Sequence, residues 1–233
     1  MMSFCRIWSA DVSPLSSAAL FAEGYRRMPP ERQAKIDRLK FEDGKRLSLG
    51  AGLLLRTALA SVGLDLLRER METGPCGKPF LPAHPEVRFN LSHADTRVLC
   101  VLSDLDCGCD VELIGRGSPA IAARFFSPEE QRRLEELGIP SADPYKSPSD
   151  PAWQRLFCRI WTRKESWLKA TGEGLFHPLN SFSVFAPPSG LRFLEAEDSP
   201  RTLSCVCLLT DPAGGVPAPE PLRIPVDFSA LTD

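Results

Sequence analysis

The sequence has no excess charge of either sign. Its 28 Lys and Arg stand against 30 Asp and Glu for a net charge of -2. Bulk electrostatics therefore give no reason to expect a nucleic-acid partner, and recognition of an anion has to come from local basic clusters. Long apolar runs are missing too. The runs are short pieces such as 53–55 and 98–102, far below the roughly 20 residues of a membrane-spanning helix, so no membrane association is expected. Asp11 and Glu23 interrupt an N-terminus that has no basic stretch leading into an apolar one, which makes a cytoplasmic location the expectation. Histidine is scarce, with three in the chain, at 84, 93 and 177. None of the eight cysteines forms a CxxC pair or stands at a zinc-like spacing from a histidine, which removes the usual zinc and dithiol readings. Cys100, Cys205 and Cys207 lie in apolar strand-like runs, as free thiols acting as small hydrophobes do. Reduced, buried thiols in a reducing compartment are expected, with Cys107 and Cys109 the one pair to watch for oxidation.

The 233 residues, 43% hydrophobic and 25% charged, suit a globular protein of one large or two small domains. Residues 30–40 predict a helix opening on Pro30, and 44–67 a longer one with Leu47, Leu54, Leu55, Leu59 and Val62 along one stripe. Residues 74–85 read as a Pro/Gly loop. Residues 87–91, 98–102 and 107–113 read as strands. Ser127, Pro128 and Glu130 form a capping box ahead of a helix that stops at Gly138. After a Pro-rich loop at 140–151, Phe157, Trp161, Lys164 and Leu168 mark a helix ending near Gly172 or Gly174. Residues 181–185 and 203–209 are further strand candidates, and beyond 186 prolines are dense. Helices, strands, then helix and strand again, without regular βα alternation, argue for the α+β class.

Several groupings can carry chemistry. Asp110 and Glu112 are two apart in a strand, so both carboxylates share one face while Val111 turns to the other. Two adjacent carboxylates repel, and hard oxygen ligands suit magnesium; a solvated pair at a strand end is the plain alternative. Glu165 and Lys169 are four apart on one helix face. They are either a surface ion pair, or a metal ligand or base beside a phosphate contact. Arg155, Arg159, Arg163 and Lys164 add positive charge that could hold phosphates or an acidic partner, or could be a solvated face. Ser92 and His93 close a strand. Neighbours on an extended chain point apart, so they suit donors to an anion better than a nucleophile and its base. Lys78 sits in a Gly-Lys-Pro turn, which is not a phosphate-binding Walker loop.

Taken in order, these motifs resemble the Sfp-type phosphopantetheinyl transferases. The chain carries a GKP turn at 77–79, N-L-S-H at 90–93, G-C-D-V-E at 108–112, F-S-P-E-E at 126–130, and W-T-R-K-E-S-W-L-K-A-T-G at 161–172. The segment 178–184 is similar as well, and the resemblance spans roughly residues 30–186. Cys109 stands where the family usually has an aliphatic residue.

This resemblance implies two similar α+β halves, 1–106 and 107–233, related by a pseudo-twofold axis with the site between them. It implies magnesium on Asp110, Glu112 and Glu165, and coenzyme A phosphates on Lys78, Ser92, His93 and Lys169. Arg46, with Arg32 and Lys35, would hold the adenosine 3′-phosphate. The implied reaction moves the phosphopantetheine arm of coenzyme A to a serine of an apo acyl or peptidyl carrier protein. Adenosine 3′,5′-bisphosphate leaves, Glu165 acts as base, and Lys169 neutralises the leaving oxygen. A monomer is implied. The alternatives are a non-catalytic relative that binds coenzyme A or a carrier protein, a carboxylate-metal phosphohydrolase, and a scaffold protein.

Overall fold

The computed structural model describes residues 3–138, 148–174, 177–211 and 219–230. Strand β1 (Cys5–Asp11) is followed by helices α1 (Ala18–Arg26), α2 (Pro30–Asp37) and α3 (Glu42–Ala60). A small hairpin, β2 (Glu72–Thr73) and β3 (Pro79–Phe80), leads into β4 (Arg88–Ala94) and β5 (Arg97–Ser103). Then come β6 (Cys107–Leu113), α4 (Pro119–Phe125), α5 (Pro128–Glu135), α6 (Pro151–Thr171), β7 (Leu191–Ser199), β8 (Thr202–Leu209) and β9 (Pro221–Val226). The class is α+β, as expected.

Two sheets form the middle of the molecule. The first runs β4-β5-β1-β9 and the second β6-β8-β7. Strand β9 joins the first sheet by parallel pairing with β1, while the other pairs within the two sheets are antiparallel. One face of the first sheet, with Trp8, Cys100 and Leu102, packs under Leu49, Leu54 and Leu55 of α3. Its other face, with Ile7, Leu99 and Val101, meets Cys107, Cys109, Val111 and Val206 of the second sheet. Helix α6 covers the far side of β6 and β8. The order of layers is thus helix, sheet, sheet, helix, and the period-2 alternation of β6 turns residues 108, 110 and 112 toward α6.

Several expectations change. The helix predicted over 44–67 ends at Ala60, because Gly63 adopts φ 81° and the Leu64 amide closes back on the Leu59 carbonyl at 3.0 Å. This left-handed stop is a standard helix end. Leu66 still packs into the core from outside the helix, so the apolar stripe outlasts the element. No strand forms over 181–185. Residues Leu179–Ser181 make a 3-10 turn, and the Val184 amide bonds the Glu130 carboxylate at 2.7 Å instead of a strand. Most of the 140–151 loop lies outside the described residues. Seven of the eight cysteines are buried and all are free. Burial raises the thiol pKa of Cys109 to about 12 and pushes the Cys107 thiol up too, well above the ordinary range, so that pair is not a reactive one. Among the described residues no helix is long and apolar enough to cross a membrane.

Candidate active site

Gly108 sets the geometry. A Cβ at this position would stand 2.1 Å from the Ser166 carbonyl oxygen and 2.3 Å from the Ala170 amide nitrogen. Only a residue without a side chain lets β6 lie this close to the backbone of α6. The close approach delivers the next two residues on the same face, Asp110 and Glu112, to the helix stripe bearing Glu165 and Lys169. Helix α6 is firmly placed. Asp150 caps its start by accepting the Trp153 amide at 2.8 Å, and Gly172 ends it at φ 72°.

Asp110 is 3% exposed. Its Oδ1 receives Lys169 Nζ at 2.5 Å and the Ser92 hydroxyl at 3.1 Å. Its Oδ2 is buried with no partner. Burial raises the Glu112 pKa to about 7, helped by the nearby Asp110 and Glu165 charges against Lys169, while the Trp161 side chain hydrogen-bonds its ionised form. Burial, then Asp110, also raises Glu165. Burial alone would lower Lys169, but Asp110, Cys109 and Glu165 together outweigh it, so the ammonium stays charged. Three carboxylates thus share one lysine. Among the described residues no three are already gathered at coordinating distance. The orphaned oxygen of Asp110 and the mutual repulsion of an all-oxygen donor set nevertheless fit a hard divalent cation that binds through few carboxylates and fills its other positions with phosphate and water.

The remaining predicted residues divide into groups. Ser92 is buried, and besides bonding Asp110 its hydroxyl receives the Val111 amide at 3.3 Å and Lys169 Nζ at 3.2 Å. Lys78, in the turn between β2 and β3, donates to the carbonyls of Cys107 on β6 at 3.0 Å and Ala170 on α6 at 2.8 Å, and burial lowers its pKa. His93 keeps one side open to solvent. Burial lowers its pKa, and the charges of Lys169, Lys35 and Arg32 add to that effect. Burial and the adjacent Arg32 likewise lower Lys35. Two cations, Arg32 and Lys35, therefore lie near a neutral His93 beside Lys169. Arg46 sits on the first turns of α3 paired with Asp43, in a separate pocket with Ser13, Asp95 and Thr96. A cavity of about 260 Å³ is lined by Lys78, Asn90, Glu165, Leu168, Lys169 and Gly172.

The second basic cluster is engaged in ion pairs. Arg155 pairs with Glu197 at 2.6 Å, and Arg159 and Arg163 share Glu195 at 3.2 and 2.7 Å. Lys164 is fully buried against Glu130 at 2.9 Å. Three carboxylates on α5 and β7 partner these four cations.

A family model described as the 4'-phosphopantetheinyl transferase superfamily matches residues 106–213. A 4'-phosphopantetheinyl transferase of Bacillus subtilis is 32% identical over 169 residues, which cover 72% of this chain and 70% of that protein. The 4'-phosphopantetheinyl transferase Sfp of Bacillus subtilis strain 168 is 33% identical over 171 residues, covering 73% and 71%. The chain belongs to the 4'-phosphopantetheinyl transferase family. The 4'-phosphopantetheinyl transferase HetI of Nostoc is 32% identical over 149 residues, 61% of this chain and 58% of that protein.

Within this transferase, part of the recognised signature is scaffold. Glu130 completes the capping box with Ser127, accepts the Val184 amide and holds Lys164. Lys164 in turn donates to the carbonyls of Leu179 at 2.6 Å and Phe182 at 2.9 Å. Phe126 is fully buried against Phe157 and Trp161. Sequence reasoning singled out Phe126, Glu130 and Lys164 but not their joint role, which ties α5, α6 and the 179–184 segment into one block. Asn90, read only as a motif letter, accepts the Cys109 amide at 2.9 Å.

Proposed function

We propose that this transferase moves the phosphopantetheine arm of coenzyme A onto a serine hydroxyl of an apo acyl or peptidyl carrier protein, with magnesium, releasing adenosine 3′,5′-bisphosphate. The observation that carries this reading is the convergence, across β6 and α6, of Asp110, Glu112, Glu165 and Lys169 beside His93 and the cations Arg32 and Lys35. Asp110, Glu112 and Glu165 are the residues that would hold the magnesium. When bound, the cation supplies charge stabilisation for the phosphoryl oxygens.

The chain's own groups do the rest. Glu165, its pKa raised by burial and by Asp110, suits a base that takes the proton of the attacking serine. Lys169 is held charged and neutralises the oxygen of the departing bisphosphate. Lys78 and His93 flank the phosphates, and Ser92 orients Asp110 and Lys169 for them. Arg32 and Lys35 receive the 3′-phosphate, and Arg46 joins them on leaving Asp43.

The halves are 1–106 and 107–233, pseudo-twofold related. The placement of α3 on one sheet and α6 on the other supports this division, with β9 crossing back to the first sheet. A monomer in a reducing cytoplasm, suited to eight free cysteines, completes the reading. The test is intact-mass spectrometry of apo acyl and apo peptidyl carrier proteins after incubation with this protein, coenzyme A and magnesium. A phosphopantetheine mass gain that a chelator abolishes is expected. No gain on either carrier, with coenzyme A still bound, would leave a binding protein instead.

A further inference from the structure

Strands β4 and β6 are edge strands of different sheets and do not pair with each other. Strand β6 uses β8 on one side, so its alternate amides face the opposite edge with no ladder partner there. Two of them are satisfied by side chains from β4. Asn90 Oδ1 accepts the Cys109 amide at 2.9 Å, and Ser92 Oγ accepts the Val111 amide at 3.3 Å. Residues 90 and 92 share one face of β4, and 109 and 111 flank a single residue, Asp110. The residue on each side of Asp110 is thus held by its amide from the neighbouring sheet. Ser92 also bonds the Asp110 carboxylate. Asn90 makes no hydrogen bond to Asp110, Glu165 or Lys169 and is 5% exposed.

We propose that Asn90 is a positioning residue of the transfer reaction. Its side-chain oxygen fixes the backbone immediately before Asp110, and so sets where the orphaned Asp110 oxygen and the Lys169 ammonium stand. This rests on the reading of Asp110 as a cation ligand. Asn90 acts through β6. Without its oxygen the Cys109 amide loses its acceptor, β6 is free to drift from β4, and Asp110 moves with it. A misplacement of about 1 Å at a reacting centre can cost on the order of 100-fold in rate.

The test compares wild type with Asn90→Leu, which removes the acceptor, and Asn90→Ser, which offers a hydroxyl of the kind Ser92 uses two residues on. Manganese binding to the protein alone is followed by electron paramagnetic resonance, with no substrate present. Amide exchange is measured across 107–113, and kcat and KM for coenzyme A are determined separately. Asn90→Leu is expected to weaken manganese binding about tenfold or more, to speed exchange at Cys109 and to lower kcat with little change in KM. Asn90→Ser is expected to restore most of each. If Asn90→Leu does not fold, Asn90→Ala removes the same oxygen without added bulk and carries the same expectations. Faster exchange at Cys109 with wild-type manganese affinity and kcat would overturn the proposal, leaving Asn90 a purely structural contact. An Asp110→Asn control separates the two levels. If it too keeps wild-type manganese binding, the cation reading has failed; if it alone loses binding, only the role of Asn90 has.

Discussion

Replacing Lys164 by Met tests how the helix bearing Glu165 and Lys169 is held. The Lys164 ammonium and the Glu130 carboxylate are both 0% exposed and 2.9 Å apart. Glu130 also takes the Ser127 and Val184 amides, each at 2.7 Å. Lys164 also serves two backbone carbonyls and lies 4.3 Å from the Phe182 ring centroid. Lys164→Met fills similar volume but strands one buried carboxylate and two carbonyls. Breaking one side of such a pair costs about 3–5 kcal/mol, which for a chain of this size lowers the melting temperature by roughly 10 °C. The double variant Glu130→Gln/Lys164→Met removes both charges and should recover a substantial part of that loss, because a paired buried charge contributes little net stability. Thermal unfolding followed by circular dichroism on the four members of the cycle gives the coupling. A loss below about 1 kcal/mol for the single variant would mean the pair is not desolvated, and would refute this account of the block.

Two further predictions concern the site. Glu112 is held at about 7 against an ordinary 4.5, so its folded-state pKa is raised. Its contribution to stability is present in full below pH 4.5 and is lost as pH rises through about 7. The metal-free protein should therefore lose stability between those values, Glu112→Gln should flatten that part of the profile, and chemical denaturation across pH would show either. Arg32→Ala and Lys35→Ala should each raise KM for coenzyme A several-fold while leaving KM for dephospho-coenzyme A, which lacks the 3′-phosphate, unchanged. Equal effects on both donors would place these cations elsewhere.

The chemistry was legible where it follows a local period. Asp110 and Glu112 on one strand face, Glu165 and Lys169 on one helix face, and the capping box at Ser127 all follow from spacing. The motif order also pointed to the family. What could not be read were pairings between distant elements. Glu130 is legible as a capping-box residue and Lys164 as one of a helix's basic residues, but nothing local shows that both are buried against each other. Strand β1 escaped because its two faces are both buried, with Ile7 toward one core and Trp8 and Ala10 toward the other, so it has no apolar–polar alternation. Strand β9 carries Pro221 and Pro225, which count against a strand, yet prolines are tolerated on an edge such as this one. At 181–185 the opposite error arose. The pattern was strand-like, but Glu130 and Lys164 take the backbone groups a sheet would have used.

The central claim is that β6 and α6 bring together the groups that perform the transfer, with Glu165 as base. Single-turnover transfer to an apo carrier protein, read by intact mass for wild type and Glu165→Gln at matched coenzyme A occupancy, tests this most directly. The account predicts a loss of at least about 100-fold in rate, the lower end for removing a general base, with coenzyme A binding and melting temperature retained. Transfer by Glu165→Gln at close to the wild-type rate would contradict it.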